Sequence, residues 1–281
     1  MTAKYERFVA IGDSTVEGLD DPDDRSNSQG GYRGWADRIA QRLADEHGSV
    51  LYANLAIRGR TTRQVLDEQL GPALAMRPDL AAVVSGMNDL LRGSFDANVL
   101  RSDIEAMQRP LIENGATVVT FTLPEFGDVM PLARMLRTRI HQLNQAIRDA
   151  SASSGAIVCD FAQYPVAGDP RLWADDRLHA NSIGHARIAE ALMYHVGLHA
   201  DRSWAEPYPE SARRGFGAAV IAEAQWVRAH LAPWLWRHLR GLSSGDGITA
   251  KRPALAPVFP SATREPLQDQ PALPNAPATS G

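Results

Sequence analysis

The sequence predicts an α/β protein whose parallel sheet is covered by helices on both faces. Two observations carry that expectation. Five apolar runs of strand length recur at positions 8–11, 50–55, 80–85, 117–122 and 156–160. Between consecutive runs lies a segment long enough for the crossover helix that parallel neighbours require.

The first run, Phe8-Val9-Ala10-Ile11, empties into Gly12-Asp13-Ser14, a buried strand followed by a tight turn. A polar loop rich in Asp, Asn, Ser and Gly follows over 20–31. A helix is expected over 35–45, with Trp35, Ile39 and Leu43 on one face. The second run leads into Ala56-Ile57-Arg58-Gly59-Arg60. Thr61 or Thr62 can cap the next helix, which Gly71-Pro72 is expected to end. The third run terminates in Gly86-Met87-Asn88-Asp89. Helices over 96–114 and 132–151 flank the fourth run, and the fifth leads to a polar loop over 173–181. A helix over 182–195 follows.

From Trp204 the pattern changes. Val220, Val227, Leu231, Trp234, Leu235 and Leu239 fall near helical spacing within 211–240, and Pro233 should kink that segment. Beyond Gly245 the chain is rich in Pro, Ala and Ser without periodicity, the composition of a disordered tail. The expected organisation is one α/β domain over 1–200, a helical extension over 201–245 and a tail over 246–281.

Hydrophobic residues make up 44% of the chain and charged residues 22%, ordinary values that allow a sizeable core. The net charge of −4 argues against nucleic acid as a partner. Cys159 is the single cysteine, which excludes an internal disulfide and a Cys-based metal cluster. Residues 1–7 are charged and lack the apolar core of a signal peptide, so a cytoplasmic protein is expected. Basic residues beside tryptophan in 211–240 raise the idea of membrane-surface contact. Docking on the domain or at a subunit contact is the favoured reading, because apolar stripes mostly face cores. The oligomeric state is left open.

Ligands of open α/β sheets bind at the carboxyl ends of the strands. Ser14 falls at such an end, and a serine hydroxyl becomes a useful nucleophile only with a base in reach. His179 is the natural base, since an unperturbed imidazole titrates near neutrality. Asp176 lies three residues earlier, close enough to accept from one ring nitrogen and leave the other facing Ser14. An acyl-transfer intermediate also needs donors for its oxyanion, which the Ser14 and Gly59 N–H groups and the Asn88 amide can supply. Each residue has a plainer use taken singly: Gly59 and Asn88 as turn-formers, Asp13 and Asp89 as loop braces, His185 as a structural histidine. Their joint occurrence in order is the signal. Tyr32, Arg33, Arg60 and Trp173 are weaker candidates for substrate contacts.

Four blocks carry a family resemblance: Gly12-Asp13-Ser14-Thr15, Asn54-Leu55-Ala56-Ile57-Arg58-Gly59, Gly86-Met87-Asn88-Asp89 and Asp176-Arg177-Leu178-His179. Together they resemble the SGNH (GDSL-type) hydrolases, with threonine at position 15 where leucine or isoleucine is common. The resemblance spans about residues 5–197. It implies a three-layer α/β/α flavodoxin-like fold with a five-stranded parallel sheet. It further implies ester hydrolysis, without a metal or other cofactor, of a small-molecule substrate by Ser14, His179 and Asp176.

Two rival readings use the same residues. A metal-dependent phosphoesterase could draw on Asp13, Asn88, Asp89, Asp176 and His179, but would leave Ser14 without a role. A non-catalytic binding domain on a hydrolase scaffold is the other, since fold alone never proves activity.

Overall fold

The computed structural model describes residues 5–23, 31–124, 131–199, 201–209, 245 and 247–261. The helix expected over 211–240, most of the 20–31 loop and the chain beyond 261 lie outside the described residues.

Strands β1 (Arg7–Gly12), β2 (Val50–Asn54), β3 (Leu80–Val84), β4 (Thr117–Phe121) and β5 (Ile157–Cys159) form the expected parallel sheet. Its spatial order is β5-β4-β3-β1-β2-β6, where β6 (Arg252–Val258) pairs antiparallel with β2. The sheet therefore has six strands rather than five, and part of the expected tail is a strand. Two prolines and two alanines in Arg252–Val258 hide the usual alternation of a strand. Proline is tolerated there because β6 is an edge strand.

Side-chain alternation along the strands builds two cores. Phe8 and Ala10 of β1 face one layer, Val9 and Ile11 the other. The first layer is covered by α2 (Gly34–His47), through Trp35, Ile39 and Leu43, and by α6 (Ser182–His195), through Ala189 and Leu192. The second is covered by α3 (Thr62–Ala75), α4 (Ala97–Glu113) and α5 (Pro131–Ser154), through Val65, Met107 and Leu143 among others. Each large aliphatic side chain so buried stabilises the fold by about 1.5–3 kcal/mol.

Two boundaries differ from the expected ones. Helix α3 runs through Gly71-Pro72 to Ala75. Pro72 is exposed, while Ala73 is fully buried and Leu74 packs on the core, so burial outweighs the lost N–H. The compact unit also extends past residue 200: Trp204 is buried against Phe161 and Tyr164, and Arg187 donates to the Ser203 and Trp204 carbonyls.

The chain leaves β1 for β2 on one side and then crosses to β3 on the other. This reversal makes the carboxyl ends of β1 and β3 a topological switch point, where a crevice must form. Among the described residues no helix is long and apolar enough to cross a membrane.

Candidate active site

β1 ends at Gly12, and Ser14 opens the short helix α1 (Ser14–Glu17). Asp13 caps that helix by accepting from the Thr15 N–H at 3.0 Å. Gly12 is required by space: a Cβ there would lie 2.1 Å from the Val84 carbonyl oxygen. The Gly12 N–H donates to Gln69 Oε1 at 2.8 Å, and Gln69 Nε2 donates back to the Gly12 carbonyl at 2.9 Å. The serine thus leaves a strand end braced from α3.

The loop that carries His179 arrives from the other side of the crevice. Its ends are tied by the pairing of Trp173 with Ala180 and by Asn181, which caps α6 and donates to the Trp173 carbonyl. His179 Nε2 lies 2.9 Å from Ser14 Oγ, and Nδ1 lies 2.6 Å from Asp176 Oδ2. The second Asp176 oxygen accepts from the Leu178 and His179 N–H groups at 2.9 and 3.1 Å. Burial pushes the Asp176 carboxyl up, but the hydrogen bonds from His179 and the backbone outweigh it and hold it below its ordinary value. For His179, burial disfavours the charged ring. Asp176 and a second carboxylate, Asp20, overcome that and raise its pKa to about 9.

The Gly59 turn spans Ile57 to Arg60, closed by the Arg60 N–H on the Ile57 carbonyl. Gly59 sits at φ +78°, the third position of a turn that demands positive φ. Glu17 anchors this turn: it accepts from the Arg58 N–H at 2.9 Å and pairs with the Arg58 guanidinium. Asn88 Nδ2 donates to the Arg60 carbonyl at 3.0 Å and lies 3.4 Å from Asp13 Oδ2. Asp89 accepts from the Thr62 N–H and hydroxyl. Gly86 lies at φ +117°, and Leu143 fills the space a Cβ there would need. The Ser14, Gly59, Asn88 and Asp176–His179 loops accordingly meet at one end of the sheet.

Of the four weaker candidates, Trp173 alone lines the cavity beside His179. That cavity has Thr15, Met87, Leu123, Leu178 and Ile188 in its walls. Trp173 is fixed there by its Nε1–H on the Ala167 carbonyl. Tyr32 instead lies under the Arg58 guanidinium, Arg33 precedes α2, and Arg60 pairs with Glu68.

Sequence reading passed over Asp20, Gln69 and Glu17. Gln69 and Glu17 show no local signal, because their partners are 57 and 41 residues away. His185 is buried with its pKa pushed down to about 4 by burial; its ring meets the Trp35 N–H and the Leu19 carbonyl.

A parallel sheet with a hydrogen-bonded serine, histidine and aspartate at its carboxyl edge places the chain among the three-layer α/β/α hydrolases. More narrowly, the chain belongs to the GDSL-like lipase/acylhydrolase family, whose model matches residues 10–187. It is accordingly a carboxylic ester hydrolase. The fold is similar to that of a lipase/acylhydrolase from Enterococcus faecalis, at 22% identity and TM-score 0.55 over 68% of this chain and 95% of that one. It is also similar to TesA, at 22% identity and TM-score 0.55 over 68% and 97% of the two chains. A variant of Axe2, an acetyl xylan esterase from Geobacillus stearothermophilus, matches at 19% identity and TM-score 0.57 over 72% and 99%. No curated protein sequence matches this chain.

Proposed function

We propose that Ser14 attacks the carbonyl of a carboxylic ester, with His179 as base and Asp176 as the group that orients it. The observation that carries this reading is the continuous relay from Ser14 Oγ through His179 Nε2 and Nδ1 to Asp176, at 2.9 and 2.6 Å. As Oγ bonds to carbon, its proton passes to Nε2, and the ring then hands that proton to the departing alcohol. Water repeats the cycle on the acyl-enzyme, releasing the acid and restoring Ser14.

The oxyanion is met by the Ser14 and Gly59 N–H groups and by Asn88 Nδ2. Two features support Ser14 and Asn88 in that role. The first N–H groups of a helix have no partner within it. One amide hydrogen of Asn88 is held by the Arg60 carbonyl, while the contact to Asp13 is long enough to give way. Losing such a donor typically costs on the order of 10²–10³ in turnover.

The cavity beside His179 is walled by apolar side chains, which favours an apolar acyl group lying against Trp173. A fluorophosphonate probe tests the nucleophile directly. Labelling and p-nitrophenyl ester turnover should both vanish in Ser14→Ala and survive a chelator; labelling that persists in that variant excludes Ser14. Turnover lost to the chelator would instead favour the phosphoesterase reading.

A further inference from the structure

We propose that Asp20 is a positioning residue, a second carboxylate that shares the Nδ1–H of His179 and takes it over when Asp176 is lost. The proposal rests on the reading of Ser14, His179 and Asp176 given above. Asp20 Oδ2 lies 3.4 Å from His179 Nδ1, where Asp176 Oδ2 lies at 2.6 Å. The three side chains each bring one atom within 4.8 Å of the others. A good N–H···O bond is about 2.7–3.2 Å long, so Asp176 holds the hydrogen bond and Asp20 waits a few tenths of an ångström outside it.

The backbone around Asp20 shows that this placement is built. Asp20 has φ +62°, in the left-handed region that, glycine apart, aspartate and asparagine enter most readily. Both neighbours are held. The Leu19 N–H donates to the Ser14 carbonyl, and the Leu19 carbonyl meets His185 Nε2 at 3.0 Å. Asp21 is buried; it accepts from the Gly34 N–H at 3.0 Å and pairs with Arg38 at 2.8 Å. Its own N–H donates to the Gly18 carbonyl, and its carbonyl accepts from the Arg33 N–H. Gly18 and Gly34 pack so closely that a Cβ on either would lie 2.5 Å from the other's Cα. Asp20 is the exposed link between two anchored residues, with its side chain 42% accessible, and its carboxylate is turned onto the imidazole.

The chemistry gives this second acid work. When His179 takes the Ser14 proton the ring becomes a cation with one N–H at Nδ1, and nearby negative charge stabilises it. With Asp176 present the contribution of Asp20 is partial, because the shorter bond already fixes the tautomer. Without Asp176, the Nδ1–H has Asp20 as its acceptor, and the ring keeps Nε2 toward Ser14.

The test is a double-mutant cycle in the full chain, read as kcat and KM on a p-nitrophenyl ester. Asn tolerates left-handed backbone, so Asp20→Asn removes the charge and keeps the turn. Asp20→Asn alone should lower kcat roughly threefold, and the same change in Asp176→Ala at least roughly tenfold further, with KM constant; interacting residues couple in this way. Loop damage from losing Asp176 is common to both members of the second pair and cancels. Equal factors in the two backgrounds, a shift confined to KM, or an inactive Asp176→Ala would each overturn the role of Asp20. Ser14→Ala serves as the separate control: turnover surviving there would refute the underlying triad, whatever Asp20 does.

Discussion

Gln69 grips the peptide units of Gly12 from both ends, accepting from its N–H at 2.8 Å and donating to its carbonyl at 2.9 Å. Helix α3 thereby fixes the strand end from which Ser14 projects. Leucine at position 69 would fill the space but leave the buried Gly12 N–H without that acceptor. An orphaned buried donor costs about 1–3 kcal/mol. Gln69→Leu should lose that much stability in urea and also lower kcat. A variant of full stability and activity would show that the strand end needs no brace.

The rate should rise with pH well above neutrality. Burial disfavours the His179 cation, but Asp176 and Asp20 outweigh it and raise the ring to about 9; Asp13 also faces the ring. A general base must be neutral to accept a proton, so kcat/KM should climb about tenfold per pH unit below that value and then level. Stability moves the other way. The ring's ordinary pKa is 6.5, so its stabilisation is complete below about that pH and is lost as pH rises through about 9. A kcat/KM profile already flat from pH 6.5 would contradict the raised base.

Most of the parallel sheet and the four loops of the site were legible in the sequence. Buried parallel strands announce themselves as apolar runs, and Ser14, Gly59, Asn88 and the Asp176–His179 pair follow such runs or close the last loop. Strand β6 was not legible. Its residues pair with β2, about 200 positions earlier, and Pro253 and Pro257 break the pattern that single-sequence reading relies on. Asp20 was hidden differently: Leu19-Asp20-Asp21-Pro22-Asp23 reads as a solvated acidic loop. What singles out Asp20 is a positive φ and a distant histidine, and neither leaves a local mark.

Glu17 and Arg58 should differ in what their loss costs. Glu17 is 7% exposed and Arg58 21%, so the carboxylate is the more deeply buried member. Removing one partner of a buried pair costs ~3–5 kcal/mol. Among the described residues, Arg58→Met leaves the Glu17 charge with the backbone N–H of position 58, and it should approach the lower figure. Glu17→Gln keeps an oxygen for that N–H and should lose less. Both should lower kcat, since the Gly59 turn hangs on this anchor. Equal urea midpoints for the two variants would refute the ordering.

The start of the β6 edge strand is tied to the N-terminal end of α2 by Lys251, whose ammonium donates to the Tyr32 and Arg33 carbonyls at 3.1 and 2.8 Å and pairs with Asp37. Asp37 is largely buried, and burial raises its carboxyl pKa even though Lys251 pulls it back. A raised folded-state carboxyl means that stability falls as pH climbs from the ordinary carboxylate value through the folded one. Lys251→Met removes the opposing charge, so that window extends to higher pH and the fall deepens. At low pH, with Asp37 neutral, the two proteins should differ by the lost carbonyl contacts, about 1–3 kcal/mol together. The gap should widen as pH rises above the ordinary carboxylate range. Urea midpoints measured from pH 3.5 to 8 decide the matter. A gap that stays constant across that range would mean that Lys251 holds β6 through the two carbonyls alone.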